Sequence, residues 1–248
     1  MYKKLLFQCI GLLLFTSCGH RVLQPVALSP ELIPISARAE PDSAVNAYIE
    51  PYREQLQEKM KEVLGRSTGL LEKGPVESSL ANFIVDVLQE KGEKYAGIPI
   101  DMGVITIGGI RAPLPAGEIK LRDIYELMPF ENLVYILRLK GTTVKKLFDY
   151  LAINKTLAVS NSSVVVADGI AVEIMIGGQP LDEKKDYHIA ISDYLANGGD
   201  YLFFLSEGEV VAQLELKQRD VIIEKIRDLE ARQEKVVAQI EGRVILKD

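Results

Sequence analysis

The amino-acid sequence predicts one domain of the α+β (mixed α/β) class over residues 42–248. Apolar residues recur at helical spacing in some segments and alternate in others, and the two kinds interleave without a strict βαβ order. Asp168-Gly169 divides one alternating stretch into the arms of a hairpin. With 48% hydrophobic and 26% charged residues, 248 residues suffice for one core of fair size.

The segments before residue 42 read differently. Lys3 and Lys4 precede an apolar run at 5–15, too short to span a bilayer as a helix, which takes about 20 residues. Thr16, Ser17 and Cys18 follow, and small residues directly before a Cys are similar to a bacterial lipobox. Residues 1–17 are therefore expected to be a lipoprotein signal peptide, with Cys18 lipidated and anchoring the chain to a membrane by acyl chains. Pro25, Pro30, Pro34 and Pro41 break up residues 18–41, which read as a flexible tether. Cys9 falls in the removed segment, so the domain is expected to stand without a disulfide. Export in a two-membrane bacterium implies an outer-membrane anchor facing the periplasm.

Within the domain, Val45, Tyr48, Ile49, Tyr52, Leu56, Met60 and Val63 keep to one face of a helix that Gly65 ends. A short strand is expected at 67–72. A helix follows at 77–89, with Leu80, Phe83, Ile84 and Val87 inward. Strands are expected at 98–107, 132–139 and 187–192, and a hairpin at 164–176. A short helix suits 121–127, and Thr142 and Thr143 can cap another that runs to Leu151. Residues 217–240 read as a long charged helix with Val221, Ile222, Ile226, Leu229, Val236 and Val237 on its apolar side.

Charge and histidine content exclude several functions. Net charge is −6 and no basic stripe is present, so a nucleic acid is not an expected partner. The two histidines are His20, in the tether, and His188, in a strand. There is no Cys cluster, no HExxH and no P-loop. A dinuclear hydrolase needs several imidazoles and carboxylates converging on two ions, which one histidine in the domain does not supply. His188 reads as a packed strand residue.

Three segments point to a ligand. Thr106-Ile107-Gly108-Gly109-Ile110-Arg111 ends a strand: paired glycines let a backbone turn or approach a ligand, and an Arg can hold an anion by two parallel hydrogen bonds. Met128-Pro129-Phe130-Glu131-Asn132 fixes the entry of an aromatic. Ser192 to Asp200 runs a strand into Asn197-Gly198-Gly199-Asp200, with Tyr194 six residues before the carboxylate. Each segment alone also reads as a plain turn or connector.

In this order and spacing, the segments resemble the C-terminal substrate-binding domain of 5'-nucleotidases, over nearly all of residues 42–248. Residues 77–82 fall at that family's E-x-N-x-G-N segment. The resemblance implies that a base is sandwiched between Phe130 and Tyr194 and contacted by Asn132. It further implies that Asp200 meets the ribose hydroxyls and that Arg111 reaches the phosphate side. Aromatic faces hold any base, at about 1–3 kcal/mol each, so Tyr194→Phe or Phe130→Tyr is expected to be mild. Two positions depart from the family pattern: Thr106 and Ile107 replace Asn and Gly, and Val76 stands where Arg is frequent. Each lost charge-assisted contact is worth about 1.5–3 kcal/mol, so a weaker phosphate grip, or a nucleoside ligand, is expected.

The resemblance implies a nucleotide- or nucleoside-binding domain, taking AMP- or adenosine-like ligands, as the substrate-recognition half of a split 5'-nucleotidase. Divalent metals and hydrolysis would then belong to a separate metallophosphatase chain, with no cofactor in this one. The alternative is a structural lipoprotein that keeps the fold without a ligand.

Overall fold

The structure is a computed structural model, and it describes residues 42–247. The expected signal peptide, Cys18 and the tether lie outside the described residues. The described residues divide between two units at Tyr48 and Ile49. Asp42 starts helix α1 (Ser43–Met60) by accepting hydrogen bonds from the N–H groups of Ala44 and Val45 at 2.8 and 3.1 Å. The helix stops at Met60 rather than at Gly65, because residues 63–67 are taken up by a strand, β1 (Val63–Ser67). That strand also corrects the expected one at 67–72, where Leu71 makes only an isolated bridge to Leu114.

In the second unit, helix α2 (Ser79–Ala96) begins where Ser78 Oγ accepts from Ala81 N–H at 3.2 Å. It runs seven residues past the expected end, to Ala96, where Gly97, with a φ of 67°, closes its N–H on Glu93 O. Next come β2 (Met102–Thr106), β3 (Gly117–Lys120) and α3 (Leu121–Leu127), the last with the expected bounds. Strand β4 (Leu133–Lys140) leads into α4 (Gly141–Asn154), which starts without a side-chain cap, so Thr142 and Thr143 lie inside it. Strands β5 (Leu157–Val159), β6 (Ser162–Ala167), β7 (Ile170–Ile176), β8 (Gln179–Pro180) and β9 (Asp186–Ser192) follow. The chain closes with α5 (Asp193–Ala196), β10 (Glu209–Lys217), α6 (Gln218–Ala231) and β11 (Val244–Lys247).

The central sheet has the order β10-β4-β9-β2-β5, with β2 and β9 parallel and the other pairs antiparallel. Its strands alternate between two cores. Ile105, Val134, Ile136 and Ala190 pack with α2 and α6, through Ile84, Leu88, Ile222 and Ile226. Met102, Val104, Leu137, Leu139, Ile189 and Ile191 pack on the other side with α4 and the β6–β7 hairpin, through Val144, Phe148, Val164 and Ile174. The hairpin turns at Asp168-Gly169, as expected, both with positive φ.

The expected helix at 217–240 ends at Ala231. Gln233 turns left-handed at φ 59°, and Val236 exchanges backbone hydrogen bonds with Arg66 and Thr68 and becomes fully buried. A strand-like contact that buries Val236 outweighs further helix, which would have kept Val237 and Ile240 on a surface they occupy anyway. Among the described residues no helix is long and apolar enough to cross a membrane.

Candidate functional site

Strands β2 and β9 run in parallel, with Met102 beside Ile189, and both end at the same edge of the sheet. Strand β4 begins there, with Val134 opposite Ser192. The segments that follow β2 and β9 and precede β4 therefore converge, at the carboxyl end of a parallel pair where open sheets place ligands. They enclose a cleft of about 390 Å³. All five expected contacts, Arg111, Phe130, Asn132, Tyr194 and Asp200, line it.

After β2 the chain makes one 3₁₀ turn, Ile107–Gly109, closed by Ile110 N–H on Ile107 O at 3.1 Å. Gly108 and Gly109 do not have positive φ, so backbone conformation is not why glycine stands there. A Cβ on Gly108 would meet no protein atom within 4 Å. Its missing side chain leaves open space at the cleft wall. Arg111 is held by its N–H on Leu127 O at 2.8 Å, and its guanidinium donates to Gly108 O at 3.2 Å. The guanidinium lies 5.7 Å from the centre of the Phe130 ring, within cation–π range. An exposed Arg so placed brings positive charge to the rim of the cleft.

Phe130 is 41% exposed, on a connector fixed from several sides. Gln218 N–H donates to Asn132 O at 2.9 Å, and Leu133 N–H to Asp193 Oδ1 at 3.1 Å. Glu131 takes hydrogen bonds from Lys217 and Arg219, which hold its carboxyl down at about 2. Arg219 in turn lies 4.0 Å over the Tyr125 ring, and its buried Nε has no hydrogen-bond partner among the described residues.

After β9, Ser192 Oγ accepts from Leu195 N–H at 3.1 Å and starts α5. Gly198, Asp200 and Tyr201 have φ of 89°, 52° and 64°. Two consecutive non-glycine residues in the left-handed region are strained, and such strain gathers at functional sites. Three hydrogen bonds hold the arrangement. Tyr150 Oη donates to Asp200 O at 2.9 Å, Tyr194 Oη donates to Asp200 Oδ1 at 2.9 Å, and Asp200 N–H donates to Tyr194 Oη at 3.1 Å. The Tyr194 ring, 48% exposed, lies on Gly199, where a Cβ would come within 2.5 Å of Cε1 and Cζ. Glycine is required at 199 for that contact.

A cleft of this kind can take a flat ring on its aromatic walls, a hydroxyl pair on the Asp200 carboxylate and an anion at Arg111.

Other residues singled out in the sequence lie elsewhere. Thr106 lines the cleft, but Val76 does not. Glu77 is a structural clamp. It accepts from Asn82 Nδ2 and from the N–H groups of Glu241 and Arg243, each at 2.8 Å, and so secures the segment leading to β11. Burial pushes the Glu77 carboxyl up, but the bonds from Asn82 and the backbone outweigh it and hold it below the usual carboxylate range. His188 sits in β9, its Nδ1 3.2 Å from Pro99 O and its N–H on Asp101 Oδ2 at 2.8 Å. Among the described residues no group of three or more His, Cys, Asp or Glu is placed to hold a metal ion. One lining residue, Gln218, carried no sequence signal: a single Gln at the head of a charged helix belongs to no motif.

The family model for the 5'-nucleotidase C-terminal domain matches residues 62–207, more than half of the chain, and Gln218 lies beyond its end. The chain is 28% identical over 179 residues to the 5'-nucleotidase of Vibrio vulnificus, covering 67% of this chain and 31% of that protein. It is 22% identical over 244 residues to a trifunctional nucleotide phosphoesterase of Bacillus subtilis, covering 90% of this chain and 16% of the relative. This chain thus spans about a third or less of the curated relatives it matches. In fold it is similar to a 5'-nucleotidase precursor from Thermus thermophilus, with a TM-score of 0.70 at 24% identity, over 83% of this chain and 42% of that one.

Proposed function

The chain belongs to the 5'-nucleotidase C-terminal domain family, and on that premise we propose that its cleft binds a nucleoside or nucleotide for hydrolysis performed elsewhere. Phe130 and Tyr194 hold the base, Asn132 contacts its edge, Asp200 accepts from the ribose hydroxyls, and Arg111 lies toward the phosphate. The observation that carries this reading is the convergence of three segments, far apart in sequence, on one cleft lined by all five residues. The ring faces, the carboxylate and the cation match the three chemical parts of a nucleotide. The protein atoms that would attack a phosphate are absent from this set, so its work is positioning, by which remote contacts orient a reacting group.

On the same reading, the metals and the hydrolytic step belong to a metallophosphatase chain that docks with its site facing the cleft. Acylation at Cys18 holds the domain at the outer membrane, facing the periplasm. Two halves on one membrane gain effective concentration, so a weak interface suffices.

Calorimetric titration with AMP and adenosine tests the binding role. AMP is expected to bind more tightly than adenosine, and Arg111→Gln to remove that difference while leaving adenosine affinity unchanged. No binding of either ligand would leave the alternative, a ligand-free structural lipoprotein.

A further inference from the structure

Gln218 is the first residue of α6 and is only 7% exposed, yet its side-chain amide makes no hydrogen bond among the described residues. It lines the same cleft as Phe130, Asn132 and Tyr194. Among the described residues the one fully buried side-chain N or O atom without a partner is Arg219 Nε, so the Gln218 amide, unpaired within the protein, still reaches solvent. The flanking residues do not leave Gln218 free to turn away. Lys217 and Arg219 both grip Glu131, and the N–H of Gln218 itself is bonded to Asn132 O at 2.9 Å. Three successive residues are thus tied to the connector that carries Phe130 and Asn132, and the middle one borders the cleft with an unused donor and acceptor.

We propose that Gln218 reads the edge of the bound base and sets base specificity. This inference rests on the proposed nucleoside-binding function. A carboxamide presents a donor and an acceptor side by side. It therefore pairs with a base edge that offers the complementary adjacent groups, as adenine does with a ring nitrogen and its exocyclic amine. The aromatic walls hold any base by its faces and do not discriminate. Discrimination falls to the polar groups at the edge, because a ligand that covers the amide without the matching group leaves it unpaired. Gln218 and Asn132 stand on two elements joined by a backbone hydrogen bond, so the pair is held in fixed register.

The test compares adenosine with purine riboside, which lacks the 6-amino donor but keeps both faces and the ribose. Calorimetry gives the ratio of the two dissociation constants for the wild-type protein and for Gln218→Leu, a substitution of similar size. The wild type is expected to prefer adenosine by about 5- to 150-fold, the range of a bidentate amide–base pair. Gln218→Leu is expected to weaken both nucleosides, adenosine the more, and so to shrink that ratio at least about 5-fold. Should Gln218→Leu not fold, Gln218→Met, of similar size and likewise without an acceptor for the amine, is expected to lower the ratio as well. An unchanged ratio in a folded variant overturns the role of Gln218 while the binding function stands. No binding of either nucleoside by wild type overturns both.

Discussion

The phenol of Tyr194 donates to Asp200 Oδ1 at 2.9 Å while its ring rests on Gly199, so substitution can separate stacking from placement of the carboxylate. From sequence, Tyr194→Phe is expected to be mild because only the face stacks. The structure adds a second task for the edge: Asp200 is held in a strained left-handed conformation partly by two hydrogen bonds with that hydroxyl. Tyr194→Phe is therefore expected to weaken adenosine binding by about 0.5–1.5 kcal/mol. Binding of the 2',3'-dideoxy analogue, which has no hydroxyl pair to meet Asp200, should hardly change. Calorimetry with both ligands checks this, and equal losses for the two would assign the effect to the ring. Gly108 makes the opposite case. Alanine there meets no protein atom within 4 Å, so Gly108→Ala should leave thermal stability within about 0.5 kcal/mol of wild type. It should nonetheless lower nucleotide affinity, because the added methyl stands in open cleft space where the ligand is proposed to sit. A variant with unchanged affinity would show that the glycine pair is only a turn.

At the scale of elements, α2 and α6 are joined by a buried cation. Lys91 is 1% exposed and bonds Glu224 at 2.8 Å and Asp228 at 2.6 Å. Burial pushes the Glu224 carboxyl up, but hydrogen bonds from Lys91, Lys94 and Tyr95 outweigh it and hold it at about 2. A carboxyl depressed in the folded state stabilises the fold above its unfolded titration near pH 4.5, and that stabilisation is lost as pH falls towards about 2. Glu224→Gln should therefore lower Tm at pH 7, and the deficit relative to wild type should shrink as pH falls from about 4.5 to 2. A constant deficit across that window would mean that the bond to Lys91 has no ionic part. Neither this clamp nor the end of α6 was legible in the sequence. The expected helix at 77–89 stopped short of Lys91, although Gly97 supplied the left-handed stop. At the other end, Arg232-Gln233-Glu234-Lys235 contains neither Gly nor Pro, so only the burial of Val236 against β1 ends α6. Strand β10 was missed because it is an edge strand with no fully buried side chain, so burial imposes little pattern on it. The interior strands and the short helix α3 were readable, because their apolar positions are set by packing. The five expected cleft residues were readable for another reason: they sit in motifs of glycine, proline and aromatic residues whose spacing is specific. Gln218 was not, since its place depends on how α6 abuts the connector.

For the whole molecule, on the proposed function, recognition falls to this domain and bond cleavage to a partner. Mixed with an exported metallophosphatase, the protein is expected to raise kcat/KM for AMP, and Phe130→Ala/Tyr194→Ala to abolish the increase. A metallophosphatase equally active and equally selective alone would show that the two chains do not work together. On that proposal base binding does not need a partner, because both proposed stacking rings, Phe130 and Tyr194, belong to this chain. Both rings line the cleft and are partly exposed, which suits a stacking surface better than a core. The most direct measurement is calorimetric titration of adenosine into wild type, Phe130→Ala, Tyr194→Ala and the double variant, each confirmed as folded. Each single change is expected to cost about 1–3 kcal/mol, and the double variant to show no measurable binding. Wild-type affinity in the double variant would contradict the stacking role, because the ligand would then sit elsewhere.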